Sequence, residues 1–172
     1  DALPICVDEN TIKEYRHIQR EQKEARRKLD SLRNVSAKSR DGQRISLQAN
    51  IELAEDVSAL KQSGADGVGL YRTEFLYIDR DVPADELEQL NAYRKVIRVL
   101  KGKPLTIRTL DLGAEKEFDP EFQGPMTQNP ALGLRAIRRS LKDTDLFKQQ
   151  LRAILRASAS GPVRILLPMI TN

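Results

Sequence analysis

Apolar residues recur every three or four positions near the start of the chain and predict one long helix, which Asp8 or Asn10 can cap. The stripe consists of Ile12, Tyr15, Ile18, Ala25, Leu29 and Leu32. The other faces are crowded with Arg and Lys, and we interpret them as a solvated surface rather than a site for acidic partners. A narrow stripe on a long helix is typical of helices that join domains or pack in pairs.

Short apolar runs then alternate with longer periodic segments, which predicts strands and helices in turn. The predicted strands are 44–51, 68–71, 104–107 and 163–170, and the predicted helices are 52–62, 84–100, 132–141 and 145–159. This order indicates an α/β fold with parallel strands joined by helical crossovers. It fits either a small doubly wound sheet or the first half of a (β/α)8 barrel. The last run is almost wholly apolar, and we expect it to be buried on both faces.

Two of the predicted strands end in an arginine that an acid follows. Arg72 and Glu74 follow the second strand, and Arg108 and Asp111 follow the third. Because parallel strands end at one edge of a sheet, both arginines are expected there. Each arginine could pair with its neighbouring acid, Arg72 with Glu74 and Arg108 with Asp111. The repetition favours a shared site in which the arginines hold a phosphate, a carboxylate or both.

Composition narrows the classes of function. The 172 residues suffice for one core of ordinary size, and 31% charged residues favour a helix-rich soluble protein. A net charge of +4 with only 5% aromatic residues gives little support to a nucleic-acid partner. One Cys and one His cannot assemble a zinc site. We find neither an apolar run of membrane-spanning length nor a signal-peptide pattern, so we expect a cytoplasmic protein without a membrane partner.

Several longer motifs in the chain resemble a known family. They are the segments 64–77, 106–111, 129–138 and 150–157, the first with the core Leu70-Tyr71-Arg72-Thr73-Glu74-Phe75. Together they closely resemble enzyme I of the bacterial phosphoenolpyruvate-dependent sugar phosphotransferase system, over residues 12–172. The likeness to pyruvate phosphate dikinase and phosphoenolpyruvate synthase is looser.

The resemblance implies the N-terminal half of a phosphoenolpyruvate-binding (β/α)8 barrel over residues 41–172. It also implies a linker helix with its connection over 8–40, and the tail of an upstream domain over 1–7. Members of the family are dimeric and use Mg²⁺. They transfer the phosphoryl group of phosphoenolpyruvate to their own His and then to the carrier protein HPr.

The motif match implies roles for four residues. Arg72 and Arg108 correspond to the phosphate-clamping arginines, and Arg135 to a further basic residue near the site. Lys116 could add charge from the long segment 111–130, although a solvated lysine is an equally good interpretation. We expect that segment to be a functional or disordered loop. Asn129, in an Asn-Pro pair, is expected to form a turn rather than to contact ligand.

Other parts of the family's machinery do not match this chain. The phosphorylated His, the magnesium carboxylates and the Cys that handles the enolate proton have no counterpart, and neither His17 nor Cys6 replaces them. We therefore expect the chain alone to be inactive and to bind phosphoenolpyruvate weakly. The alternatives are the nitrogen-branch relative of enzyme I, or a non-catalytic phosphate-binding or dimerisation module.

Overall fold

The chain forms two compact units, one extending to Ile45 and the other beginning at Ser46. The structure is a computed structural model and describes residues 8–78, 80, 82–112 and 133–171. The predicted tail 1–7 and most of the predicted loop 111–130 lie outside the described residues.

The first unit contains the predicted long helix, α1 (Glu9–Leu32). The helix begins where the sequence predicts, because the Asp8 carboxylate accepts a hydrogen bond from the Thr11 amide at 2.7 Å. Its apolar stripe is exposed, as at Tyr15 and Leu29. None of the helices in the described part of the chain combines the length and apolarity needed to cross a membrane.

A turn closes the first unit and changes one predicted boundary. Lys38 and Arg44 form an antiparallel bridge, and between them Gly42 adopts the left-handed conformation at φ 84°. The first strand of the sheet begins only at Gln48. The predicted start at residue 44 is therefore wrong, since Arg44 belongs to the turn.

The second unit alternates strands and helices, as predicted. Its elements are β1 (Gln48–Ile51), α2 (Val57–Ser63), β2 (Gly67–Arg72), α3 (Glu86–Leu100), β3 (Leu105–Arg108), α4 (Ala136–Lys142), α5 (Thr144–Ser158) and β4 (Val163–Leu166). The strands form one parallel sheet in the order β1-β2-β3-β4. The predicted α/β class is confirmed.

Local signals in the sequence explain where α2 and α3 begin and end. Gly64 ends α2 in the left-handed conformation, at φ 75°. Asp85 and Glu88 form a capping box at the start of α3, in which each carboxylate accepts the other's backbone amide, at 2.8 and 3.1 Å. Lys101 and Gly102, both at positive φ, end α3.

The core lies between one face of the sheet and the helices α2, α3 and α5. The strands contribute Val68, Tyr71, Leu105 and Ile107, all fully buried. Each buried side chain of this kind stabilises the fold by roughly 1.5–3 kcal/mol. The rings of Tyr71 and Tyr93 pack edge to face, 6.0 Å apart. Leu87 of α3 and Leu155 of α5 are apolar but exposed.

The expectation that the last strand is buried on both faces is wrong. Ile165 and Leu167 are each 41% exposed, and Ile170 is exposed as well. Within the described residues, β4 pairs with β3 alone and lies at the margin of the sheet. The apolar run therefore predicted the strand correctly but not how far neighbouring elements bury it.

Candidate functional site

Arg72 and Arg108 meet at the carboxyl edge of the sheet. They are paired neighbours in the parallel register of β2 and β3. Tyr71 and Ile107, one residue earlier, are also paired and point into the core. Because successive side chains of a strand alternate between faces, both arginines lie on the opposite face from that core. The predicted shared edge is confirmed.

Arg108 is held in a largely buried network of acids. Its Nη2 donates to Glu74 Oε1 at 3.0 Å, and its Nη1 lies 3.8 Å from Asp111 Oδ2. Glu74 Oε1 also accepts the Asp111 amide at 2.9 Å. The Arg108 and Glu74 side chains are 21% and 8% exposed, so solvent screens this pair weakly. Arg108 is thus fixed in one place by two charged partners.

Arg72 is held more loosely and by a different strand. Its Nη1 donates at 2.6 Å to Oε1 of Glu52, the residue directly after β1. These two side chains are 43% and 45% exposed, and exposed pairs contribute about 0–1 kcal/mol. The suggested pairing of Arg72 with Glu74 is wrong, because Glu74 contacts Arg108. Arg72 can therefore exchange its partner at little cost.

Arg135 joins the same network from the other side of Asp111. Its Nε donates to Asp111 Oδ1 at 2.9 Å. Arg135 directly precedes α4, whose first residue, Ala136, is buried at a positive φ of 51°. Strained backbone of this kind persists where the surrounding structure holds it. Three of the four predicted residues are brought together, whereas Lys116, like Asn129, lies outside the described residues.

Among the residues that the structure describes, three guanidinium groups and three carboxylates contact one another in this cluster. The buried atoms Arg72 Nε, Arg108 Nε and Glu74 Oε2 have no hydrogen-bond partner among the described residues. Buried polar atoms are usually paired, so these three atoms are exceptions. Burial, and secondarily the charge of Glu74, raises the pKa of the nearby Tyr77, which remains a neutral phenol.

The cluster does not fit a magnesium site. Glu52, Glu74 and Asp111 each already bind an arginine. No group of three or more metal-ligating side chains occurs among the residues that the structure describes. The arrangement presents fixed cationic donors, which suit an anion such as a phosphate or a carboxylate.

Three residues of the site neighbourhood were not predicted from the sequence. Glu52 directly follows the first strand, but no arginine follows that strand, so nothing in the sequence singled Glu52 out. Thr73 and Gln150 are buried polar residues that contact the ends of β2 and β3. The signal for Gln150 was a polar residue on the apolar face of α5.

We expect Glu74→Gln to lower the free energy of unfolding by about 1.5–3 kcal/mol, the range for a hydrogen bond to a charged group. The reason is that Arg108 would lose the ionised partner that its burial requires. Urea denaturation checks this. Glu55→Gln, which removes an exposed pair with Lys95, is the control and should change the value by less than about 1 kcal/mol. Equal effects of the two substitutions would contradict the expectation.

Comparison of the sequence with known proteins places the chain in a family. A sequence profile described as "PEP-utilising enzyme, PEP-binding domain" matches residues 26–172. The phosphoenolpyruvate-protein phosphotransferase of Cupriavidus necator is 48% identical in an alignment covering 100% of this chain and 30% of that protein. Its counterpart in Priestia megaterium is 45% identical over 98% of this chain and 30% of that protein.

A third relative carries a different name. The multiphosphoryl transfer protein of Rhodobacter capsulatus is 51% identical over 76% of this chain and 16% of that protein. The chain thus spans less than a third of the length of these relatives. The family resemblance found in the motifs is confirmed, and the chain belongs to the PEP-utilising enzymes, through their PEP-binding domain.

Proposed function

We propose that the chain supplies part of the phosphoenolpyruvate-binding site of a phosphoenolpyruvate-protein phosphotransferase. The observation that carries the proposal is the pairing of Arg72 with Arg108 at one edge of a parallel sheet. It occurs in a chain that belongs to the family of PEP-binding domains. The names of the relatives support the same activity.

The proposed roles follow from the burial and partners of each arginine. Arg108 is a preorganised donor, because Glu74 and Asp111 hold it whether or not ligand is present. Arg72 exchanges Glu52 for the phosphate, since its pair is exposed. Arg135 adds positive charge beside Asp111. Phosphoryl transfer needs fixed cations around a dispersed negative charge, and guanidinium groups provide bidentate donors for it.

The proposal extends to the finer fold. A strand order without a switch, β1-β2-β3-β4, supports the first half of a (β/α)8 barrel over a doubly wound sheet. One core cluster shared by α2, α3 and α5 supports it too, since barrel helices cover one face only. We assign α1 (Glu9–Leu32) as the linker helix on its length and exposed stripe.

The whole protein's reaction is also proposed. The P–O bond of phosphoenolpyruvate breaks, the phosphoryl group bonds to a His nitrogen of the enzyme, and the enolate left behind becomes pyruvate on protonation. HPr then receives the phosphoryl group. The His, the Mg²⁺ ligands and the proton donor are assigned to residues outside this chain, which is inactive alone. A cytoplasmic location is proposed, in either the sugar or the nitrogen branch.

Substitution of Arg72 and Arg108, the proposed phosphate clamp, tests whether the chain binds phosphoenolpyruvate there. We expect Arg72→Ala and Arg108→Ala each to weaken phosphoenolpyruvate binding about tenfold or more, because each removes charged hydrogen bonds worth roughly 1.5–3 kcal/mol. Calorimetric titration of the full-length protein measures this, with pyruvate as the ligand that lacks phosphate. Arg80→Ala, which removes a surface pair with Glu88, should leave affinity unchanged. Unaltered affinity in both clamp variants would refute the proposed site.

Substitution of Glu52 is expected to change the affinity for phosphoenolpyruvate in the opposite direction. We expect Glu52→Gln to tighten phosphoenolpyruvate binding by up to about fivefold, because Arg72 no longer has to give up an ionised partner worth up to about 1 kcal/mol. The same titration checks this. Glu55→Gln, in the turn that follows β1, removes a similarly exposed acid away from Arg72 and should have no effect. Weaker binding by Glu52→Gln would show that Glu52 aids the ligand instead.

A second candidate function is assembly with another copy of the chain. Ile165 and Leu166 of the marginal strand β4, and Leu167 and Ile170 just after it, expose apolar surface. Such edges are commonly covered by pairing. We expect the chain to form a dimer. Light scattering at increasing concentration measures this, and Ile165→Lys should shift the equilibrium towards monomer. A monomer at high concentration would count against the assembly role.

A further inference from the structure

Gln150 is a polar residue at the centre of an apolar contact. It lies on the face of α5 that packs against the sheet, next to the buried residues Ala153 and Ile154. Only 1% of Gln150 is exposed. A buried amide is costly unless its donor and acceptor are both satisfied, so its partners reveal what it stabilises.

The Gln150 amide joins the ends of two strands. Its Oε1 accepts the backbone amide of Leu110 at 3.0 Å, two residues after β3 ends. Its Nε2 donates to Thr73 Oγ1 at 3.0 Å, one residue after β2 ends. The Thr73 hydroxyl in turn donates to the carbonyl of Arg108 at 2.9 Å. The bonds thus connect Gln150 on α5 to Thr73, directly after Arg72, and to Leu110, two residues after Arg108.

We call these three hydrogen bonds the Gln150 relay. The relay lies just beyond the last backbone pairing of β2 with β3. The pairing of β2 with β3 ends at Arg72 and Arg108. Beyond that point, side chains from Thr73 and Gln150 take over the connection that ladder hydrogen bonds provide inside the sheet. Thr73 is also fully buried, so the relay is shielded from competing water. It fixes the backbone from which both guanidinium groups extend.

We infer that Gln150 is a positioning residue for phosphoenolpyruvate, acting through Thr73 and Leu110 on the spacing of Arg72 and Arg108. The inference rests on the proposed function, because it assigns the two arginines to the phosphate. Gln150 itself contacts neither arginine side chain in the bonds described above. Its effect is on geometry, and a displacement of about 1 Å at a binding site can reduce activity roughly a hundredfold.

Paired substitutions in the full-length protein test the inference. Gln150→Met keeps the length of the side chain and removes both hydrogen bonds. The control is Gln89→Met, since Gln89 is equally buried and bonds the Ala84 carbonyl and the Tyr93 hydroxyl, neither of which lies at the ends of β2 and β3. Both variants should unfold at lower temperature than wild type. We expect the Kd for phosphoenolpyruvate, measured below both melting temperatures, to rise about tenfold in Gln150→Met alone.

Substitution of Thr73 provides an independent test of the inference if Gln150→Met does not fold. Thr73→Val removes the hydroxyl at nearly constant volume and should raise the Kd for phosphoenolpyruvate by a similar factor. Thr73→Ser retains the hydroxyl and should restore affinity to within about twofold, which a packing role alone would not predict.

The results separate this inference from the proposed function. If wild type does not bind phosphoenolpyruvate, the proposed function is wrong, and the positioning role is wrong with it. If wild type binds while Gln150→Met or Thr73→Val binds equally well, the site stands and the positioning role is overturned. An equal rise in Kd for Gln89→Met would likewise overturn it, since the effect would then follow from lower stability alone.

Discussion

The parallel register of β2 and β3 is the constraint on which the candidate site depends. A slip of one residue in either strand would turn its arginine to the opposite face of the sheet. The register is set by apolar contacts, because Tyr71 and Ile107 must both reach the core. The pairing of β2 with β3 also shifts by one residue between Val68 and Tyr71, and both of these side chains lie in the core. Core packing thus decides where the charged residues point.

The acids divide the arginines into two kinds. A buried ion pair is weak evidence of stability, because taking both charges out of water offsets much of their attraction. The Arg108–Glu74 pair is better understood as a device that orients a guanidinium group before any anion arrives. The Arg72–Glu52 pair is exposed and weak, so it constrains little. One arginine is a fixed reference point and the other can adapt.

The sequence predicted the order of strands and helices because the signals for it are local, namely short apolar runs for strands and apolar residues at every third or fourth position for helices. It also predicted that Arg72 and Arg108 share an edge, which follows from parallel strands alone. It could not predict their partners, since these depend on which strands lie side by side. Arg72 meets an acid from β1 rather than its own neighbour. The burial of β4 was predicted wrongly for the same reason, because the burial of a strand depends on the elements that lie beside it and not only on its own apolar residues.

The acids that already contact the arginines determine how an anion can bind in the proposed site. Among the described residues each of the three arginines already contacts an acid, so in the proposed site an anion has to compete with these acids at short range. Exchange is cheap only where the existing pair is exposed, which singles out Arg72. In the proposed site, the anion adds to donors on Arg108 that Glu74 and Asp111 leave unused. We propose that Arg108 keeps its acids when the ligand binds, so that the strand ends that hold the site together do not have to rearrange.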